Sequence, residues 1–511
     1  MRSVNSIKNT AVAMLTNLIS VVIGFIAQRA FLQTLGLEYA GLNGLFNNIV
    51  SMLAIAELGI GTAIVYHLYK PIAEKDIPRI QTLMKFYKIS YRVIAGIVLV
   101  VGMLVMPFLQ MIVGETTVPE SIYAIYGLFL LDTVISYLLT YKRSILYAHE
   151  KNYVVNLVHI GYLVIMNAIQ IATLYLYQNI FVFLGIKVTC RFLENVVITI
   201  IANKKYAYLK QKEVPALDEE TKQDIFTKIK GLIFHKIGGF LVLGSDNIII
   251  SVLFGVKTVG LYSNYSMIIV AIENLLAQVF SSITASIGNL LVENDKEKSY
   301  QTYRKLLFFN FVLVTFCTVA FYQIVGPFIT LVYGAEYVLP LVVALSIAIK
   351  FYFQNMRKTM NGFKEAAGVF YEDRFVPIVE VIVNIVLSVI LGKIMGLAGV
   401  FVGTALSSLV LYGYSYPKFV YEPIFQQKTT QYWKENGYYL AMMVVLFAIT
   451  EVAVMWMPLS SVGASLAVRT VASVVVPGIG IWLLFHKKTE YIYFKQLVIA
   501  MLPGRKNKEN T

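Results

Sequence analysis

The chain of 511 residues is 58% hydrophobic and only 14% charged, with a mean hydropathy of +0.69. A soluble domain usually carries about 25% charged residues, so this composition excludes an ordinary soluble protein. The net charge of +14 would suit a nucleic-acid partner only if a folded basic domain existed, and no polar stretch is long enough to form one. Cys190 and Cys317 lie in apolar runs, which indicates neither a disulfide framework nor a cysteine metal site.

Apolar runs long enough to cross a bilayer follow one another along the whole chain. A spanning helix needs roughly 20 apolar residues, and the sequence predicts an all-α polytopic membrane protein with about fourteen such helices. The N-terminal run lacks a small-residue cleavage site, so it is predicted to be a span and not a signal peptide. The predicted spans are 10–34, 41–68, 91–113, 120–140, 153–175, 181–203, 231–253, 259–288, 306–332, 339–356, 376–392, 398–417, 437–456 and 464–485.

Lysine and arginine distinguish the two sides of the membrane. Outside the spans, nearly all of them lie in the termini and in the loops after even-numbered spans. The loops after odd-numbered spans hold only Lys257 and Lys393. Because basic residues favour cytoplasmic loops, both termini are predicted to be cytoplasmic. The basic residues then lie beside anionic lipid headgroups, which explains the net charge without nucleic acid.

The hairpin between the first two spans has a copy in the second half of the chain. The run 35–42, with its glycines Gly36 and Gly41, returns as 254–261, at an offset of 219 residues, and further matches continue to Val400-Phe401. Six spans per copy is an even number, so the sequence predicts two parallel six-helix repeats. The predicted parts are an N-terminal lobe 1–203, a cytoplasmic amphipathic linker 204–230, a C-terminal lobe 231–420, two additional helices 421–486 and a basic cytoplasmic tail 487–511.

Ionisable residues inside the predicted spans are the candidate binding residues. Such groups are expensive in a bilayer and usually face a bundle interior or a wet cavity. Arg29 lies in the outer half of span 1, where it either snorkels to the surface or faces a cavity. Glu57 lies about 25 Å from the outer turn, either packed in protonated form or in a cavity. Asp246 and Glu273 fall within a turn of the matching positions in the second repeat, so an Arg29–Asp246 pair between lobes would form a gate.

Span 6 carries three charges on one helix face. Lys187, Arg191 and Glu194 are spaced i, i+4 and i+7. They either neutralise one another or offer their excess positive charge to a phosphate. Two further cations, Lys236 near the cytoplasmic end of span 7 and Lys350 near the middle of span 10, complete the set. The candidates for substrate binding are therefore Arg29, Glu57, Lys187, Arg191, Lys236, Asp246, Glu273 and Lys350.

The first 90 residues resemble a known family. The runs 39–46 (YAGLNGLF), 56–64 (AELGIGTAI) and 68–71 (LYKP) resemble the polysaccharide flippases of bacterial surface-glycan operons, of the O-antigen, capsule and teichoic-acid type. Their superfamily also contains peptidoglycan-precursor flippases and multidrug-and-toxin extruders. The resemblance implies a protein of the bacterial cytoplasmic membrane that moves an undecaprenyl-pyrophosphate-linked oligosaccharide to the outer leaflet by alternating access. The stretch 47–56 lacks the basic residue expected of a peptidoglycan flippase, which favours the glycan-repeat branch.

Two other classes stay open from the sequence. A multidrug extruder of the same fold would bind organic cations through acids such as Glu57, Asp132 and Glu273. A membrane-bound glycan polymerase or ligase would need a large outer loop, whereas the predicted outer loops are short. The histidines are scattered and no nucleophile–base set is evident, so no enzyme activity, metal or cofactor is predicted. Membrane lipids and a coupling ion, H+ or Na+, are the other expected partners.

Overall fold

A computed structural model describes residues 2–53, 57, 60–210, 215–457 and 461–501. Every regular element in these ranges is helical. The helices are α1 Arg2–Thr34, α2 Leu37–Leu53, α3 Ile60–Glu74, α4 Ile77–Val105, α5 Leu109–Val113, α6 Ile122–Ala148, α7 Asn152–Tyr177, α8 Ile180–Lys205, α9 Glu219–Phe254, α10 Val256–Val292, α11 Lys296–Val332, α12 Leu341–Met356, α13 Lys358–Ala367, α14 Val376–Met395, α15 Leu397–Ser407, the π-helical segment Leu411–Tyr421, α16 Glu422–Phe425, α17 Thr429–Met455, α18 Val462–Phe485 and α19 Thr489–Met501.

The protein is an all-α, multi-pass membrane protein. Within the described ranges, ten helices are long and apolar enough to cross a bilayer, and each coincides with a predicted span. The predicted spans that do not meet this criterion are the second, sixth, seventh and tenth. Glu57, Lys187 with Arg191, Lys236 with Asp246, and Lys350 all belong to these four spans. The candidate residues are thus concentrated in the helices that are shortest or most charged.

Several helices differ from the predicted boundaries. Helix α4 begins at Ile77, well before the predicted start at 91, because Asp76 caps it by accepting a hydrogen bond from the Arg79 N–H. Residues 219–254 form one continuous helix, so the predicted linker helix 221–230 is not separate from span 7. No proline interrupts this stretch, and the Asp218 carboxylate accepts from the Thr221 N–H at its start. The predicted span 41–68 is described as two helices, α2 and α3.

The described contacts divide the chain into two compact units, Met1–Asn264 and Tyr265–Thr511. In unit 1, α1 packs on α7, α6 packs on α4 and α8, and α9 packs on α2 and α3. The start of α9 is held to α4 by the Arg79–Asp218 ion pair and to α3 by a contact of 3.2 Å between His67 Nε2 and Asp224 Oδ2. The predicted lobe and linker boundaries stay a prediction.

The turns that begin α2 and α10 are related by the sequence repeat and lie against each other in unit 1. Gly36 and Gly255 end the preceding helices with φ of +90° and +82°, a region that favours glycine. A Cβ on Gly41 would lie 1.9 Å from the Val256 carbonyl oxygen, and one on Gly260 would lie 2.4 Å from the Leu37 carbonyl oxygen. Leu37 and Val256 are themselves equivalent in the repeat, so the contact is reciprocal.

Glu38 holds the same turns together through its carboxylate. Its Oε2 accepts hydrogen bonds from the Thr116 hydroxyl and the Thr117 N–H, both at 2.7 Å, and its Oε1 lies 3.2 Å from Lys257 Nζ. Burial alone would raise the Glu38 pKa, but these hydrogen bonds outweigh burial and lower the pKa to about 2. Glu38 therefore stays ionised at neutral pH and fixes this end of unit 1.

Unit 2 is organised around α11, α14 and α15. Helix α14 packs along α15, and α11 contacts α12, α18 and α19. Asn384 on α14 donates to the Thr404 hydroxyl at 3.0 Å, which joins α14 to α15 as expected of a polar residue between membrane helices. Asn167 of α7 in unit 1 does not join two helices in this way, since its side-chain amide donates to the Leu163 carbonyl of its own helix.

Candidate functional site

A group of charged side chains lies where α6, α7 and α8 of unit 1 meet. Lys187 and Arg191 of α8 face the same carboxylate, Asp132 of α6, with Nζ and Nε each 3.6 Å from one of its oxygens. Arg191 also bonds Glu194 at 3.1 Å. The predicted i, i+4, i+7 face of span 6 therefore contributes Lys187, Arg191 and Glu194 to a charged cluster, which we call the α6–α8 cluster.

Glu194 is the hub of the cluster. Besides Arg191, its carboxylate receives Arg143 Nη2 of α6 at 3.1 Å and His159 Nδ1 of α7 at 2.9 Å. Arg143 also donates to Asn195 at 2.9 Å. These three contacts, from α6, α7 and α8, fix the carboxylate in place. The α6–α8 cluster consists of Asp132, Arg143, His159, Lys187, Arg191, Glu194 and Asn195.

The acids and the bases of the cluster differ in exposure. The side chains of Asp132 and Glu194 are 10% and 0% exposed, whereas those of Lys187 and Arg191 are 18% and 23% exposed. Three bases, Arg143, Lys187 and Arg191, oppose the two acids Asp132 and Glu194, so bases outnumber acids in the cluster even when His159 is left out. Its accessible side is therefore cationic, and its negative charge lies underneath.

Aromatic and amide groups complete the accessible side. Lys187 Nζ donates to Asn47 Oδ1 of α2 at 3.2 Å and lies 4.8 Å from the Phe129 ring centroid. The Arg191 guanidinium lies 4.8 Å from the Tyr162 ring centroid. An aromatic face attracts a cation electrostatically. The arrangement can bind an anion that brings its own oxygen acceptors.

The other predicted residues of unit 1 lie apart from this cluster. Arg29 on α1 is exposed and Asp246 on α9 is buried, and the described side chains show no ion pair between them. Glu57 Oε1 accepts a hydrogen bond from Tyr91, whose hydroxyl accepts from Tyr87 at 3.1 Å. Lys236 belongs to α9, and its side chain lies outside the described residues.

In unit 2 the predicted residues contact different partners. Glu273 on α10 is half-buried, with the Asn355 amide 3.5 Å away. Lys350 on α12 is buried, and its ammonium lies 5.6 Å from the Phe401 ring centroid. Gln323 joins two further charges of the spans, since it donates to Glu451 and accepts from Arg469.

Sequence reasoning missed two ion pairs of unit 2. Arg357 donates to Glu380, and Lys364 donates to Asp373, which also accepts from the Ser415 hydroxyl. The side chains of Lys364 and Asp373 are 4% and 0% exposed. These bases belong to a stretch that the sequence predicts as a cytoplasmic loop. No sequence periodicity indicates these pairs, because they form only when the chain reverses direction after α13.

Arg143 and His159 of the α6–α8 cluster were also missed. Arg143 lies just past the predicted end of span 4, and His159 was one of the scattered histidines. One signal was present for Arg143, since it follows Asp132 by 11 residues and three helical turns place both on one face.

Comparison with known proteins identifies the family. A family model described as "Polysaccharide biosynthesis protein" matches residues 6–287, more than half of the chain. The chain belongs to this polysaccharide biosynthesis protein family. The match confirms the resemblance carried by the first 90 residues. No protein with a curated description matches the chain.

Solved structures show which fold the family member adopts. The lipid II flippase MurJ, in an inward closed conformation, matches with a TM-score of 0.64 at 14% identity and covers 95% of this chain and 99% of its own. An inward-facing multidrug resistance MATE family transporter of the MOP superfamily matches with a TM-score of 0.60 at 13% identity, covering 79% and 94%. The Vibrio cholerae MATE transporter VcmN in its bent form gives 0.52 at 14% identity, covering 85% and 99%. The fold is therefore the one shared by MurJ and MATE transporters.

Proposed function

We propose that this protein moves an undecaprenyl-pyrophosphate-linked oligosaccharide from the inner to the outer leaflet of the bacterial cytoplasmic membrane for surface polysaccharide biosynthesis. It works as a transporter by alternating access, coupled to an H+ or Na+ gradient, and not as an enzyme. The observation that carries the proposal is the α6–α8 cluster, whose accessible side is cationic inside a membrane bundle. Membership of the polysaccharide biosynthesis family supports the proposal.

The pyrophosphate is the part of the substrate that needs the protein most. A multiply charged anion loses its hydration on entering a low-dielectric bundle, and only basic groups at short range offset that cost. Lys187 and Arg191 supply an ammonium and a planar guanidinium on adjacent turns of α8. Asp132 contacts both groups, and Glu194 contacts the guanidinium of Arg191. The polyprenyl tail stays in the lipid while the sugars cross in a wet passage.

The remaining candidates take supporting roles in this proposal. Arg29, Lys236 and Lys350 are the other cations in the spans that the pyrophosphate would meet along its path. Asp246 would pair with a cation when the site is empty. Glu57, at the end of the Tyr91–Tyr87 hydrogen-bond chain, and Glu273, beside Asn355, are the carboxylates for the coupling ion. Binding of H+ or Na+ there would bias the two conformations and release the substrate outward.

A multidrug cation antiporter is the second candidate, since the MATE transporters share the fold. A cationic drug would need exposed carboxylates. The carboxylates of the α6–α8 cluster, those of Asp132 and Glu194, are instead the less exposed groups. A bound cation would meet Lys187 and Arg191 first. The charge arrangement therefore favours an anionic substrate.

Replacing Lys187 by Gln tests the proposal. The variant loses one charge-assisted contact to the phosphate, worth about 1.5–3 kcal/mol, so export should fall by about tenfold or more. Lys187→Arg should keep most export. Surface glycan and the lipid-linked repeat on the inner leaflet are measured in cells that lack the natural copy.

Lys142→Gln is the matched control. Lys142 is another poorly exposed lysine of unit 1 and likewise bonds an asparagine, Asn203, at 2.8 Å, but it lies outside the α6–α8 cluster. This variant should export normally. Normal export by Lys187→Gln at an equal protein level would refute the role of the cluster.

A further inference from the structure

A separate pocket lies in unit 2, where α11 and α17 begin and α18 ends. It has a volume of about 250 Å³. Its lining combines three bases, Arg304, Lys434 and Lys488, with apolar and aromatic side chains that include Leu307 and Phe485. We call it the basic corner pocket. The α6–α8 cluster belongs to unit 1 and shares no residue with it.

The two acids of this pocket, Glu435 and Glu490, already contact other side chains of the protein. Glu490 pairs with Arg304 at 2.6 Å. Glu435 accepts hydrogen bonds from the Tyr300 and Tyr421 hydroxyls and from Gln431. Among the described side chains, no carboxylate lies within 4 Å of the ammonium groups of Lys434 and Lys488, and both lysines are exposed. The pocket therefore has an excess of one positive charge, and its two exposed ammonium groups, those of Lys434 and Lys488, have no ion-pair partner among the described side chains.

The surrounding surface places the pocket at the depth of lipid headgroups. Trp433, Tyr438, Trp482 and Tyr493 are all exposed near it. Exposed Trp and Tyr side chains collect at the boundary between hydrocarbon and water. Short helix α19 packs on α11 beside the pocket, with Phe494 stacked on Phe309 at 5.0 Å. The distribution of basic residues assigns this end of the bundle to the cytoplasm, where anionic phospholipids give the surface its negative charge.

We infer that the basic corner pocket binds the phosphate headgroup of an anionic phospholipid from the inner leaflet. The lysines receive the phosphate, and the apolar floor at Leu307 and Phe485 receives the beginning of the acyl chains. A volume of about 250 Å³ suits a phosphate with its glycerol but leaves no room for several sugar rings. A bilayer lipid thus fits better than the head of a glycan-linked substrate. The bound lipid would fix α17, α18 and α19 against α11.

Native mass spectrometry of the purified full chain tests this inference, with dioleoylphosphatidylglycerol as the probe and phosphatidylcholine as the neutral comparison. Each lysine near an anionic lipid surface contributes about 1 kcal/mol, so Lys434→Gln or Lys488→Gln should weaken retention of the probe about fivefold and the double variant more than tenfold. The double Lys→Arg variant should retain it. Thermal unfolding of each variant shows that the fold is intact.

A double variant on the same face provides the control. Lys428→Gln with Lys487→Gln removes two exposed lysines that do not line the pocket, and it should leave retention unchanged. Equal weakening by this control would overturn the inference, because the binding would then be a general effect of surface charge. Displacement of the probe by undecaprenyl pyrophosphate or by inorganic phosphate at equal concentration would also overturn it, because the site would then belong to the substrate or to free phosphate.

Discussion

The two units hold their charged side chains in opposite ways. In the α6–α8 cluster of unit 1, bases outnumber acids and are the more exposed partners. In unit 2, Lys364–Asp373 and Arg357–Glu380 are one-to-one pairs, and Lys364 and Asp373 are only 4% and 0% exposed. A matched, buried pair stabilises a fold only while both partners are present. An unmatched, accessible cluster retains charge for a ligand. The comparison supports the proposal that unit 1 binds the substrate and that the pairs of unit 2 stabilise the fold.

The largest effect is expected from breaking a pair of unit 2. Lys364→Met leaves Asp373 buried without its cation and should lower the free energy of unfolding by about 3–5 kcal/mol. Lys364→Met with Asp373→Leu should recover much of the loss, because no charge is then left unpaired. Thermal unfolding in detergent measures both. If Lys187→Met in unit 1 were equally destabilising, the division between the units would be wrong.

A smaller loss is expected at the repeat-related turns of unit 1. Gly41→Ala places a methyl group against the Val256 carbonyl, and such overpacking costs about 1–3 kcal/mol. Gly260→Ala should behave alike, because its contact with Leu37 is the reciprocal one. Gly161→Ala is the control, since nothing lies within 4 Å of its added carbon. The prediction fails if all three variants unfold at the temperature of the unmodified protein.

Neutralising an acid of the α6–α8 cluster distinguishes an anionic ligand from a cationic one. Asp132→Asn frees Lys187 and Arg191 and should strengthen binding of an anionic lipid pyrophosphate by about fivefold, roughly 1 kcal/mol of charge interaction. Binding is measured by tryptophan fluorescence or microscale thermophoresis. In a cation antiporter the same variant would instead lose binding of an organic cation, and that outcome would reverse the assignment.

A pH-dependent effect is expected at Glu38. Its folded pKa of about 2 lies below the ordinary 4.5, so its contribution to stability is complete above pH 4.5 and is lost as pH falls from 4.5 towards 2. Glu38→Gln should remove this part of the acid sensitivity and lower stability at neutral pH by about 1.5–3 kcal/mol, the value of hydrogen bonds to a charged group. Lys257→Gln should cost less than 1 kcal/mol, because exposed ion pairs contribute little. Unfolding curves across this pH range provide the check.

The sequence predicted the architecture better than it predicted the site. Hydropathy and basic-residue placement identified the membrane class, because length and composition alone decide whether a helix can span a bilayer. The spacing of Lys187, Arg191 and Glu194 predicted a shared helix face, since helical periodicity is local. His159 and Asp132 join that face only through packing of α6 and α7 on α8, and no local pattern encodes such packing. The pairs of unit 2 depend on a chain reversal after α13, which is equally nonlocal.

The most direct test of the central claim is a flipping assay with purified protein in liposomes. A labelled undecaprenyl-pyrophosphate saccharide is placed in one leaflet, and a membrane-impermeant reagent reports its arrival in the other. The account predicts faster arrival with the unmodified protein under an H+ or Na+ gradient, a rate reduced by about tenfold or more for Lys187→Gln, and an unchanged rate for Lys142→Gln. Gradient-driven uptake of an organic cation, with no movement of the lipid-linked saccharide, would contradict it.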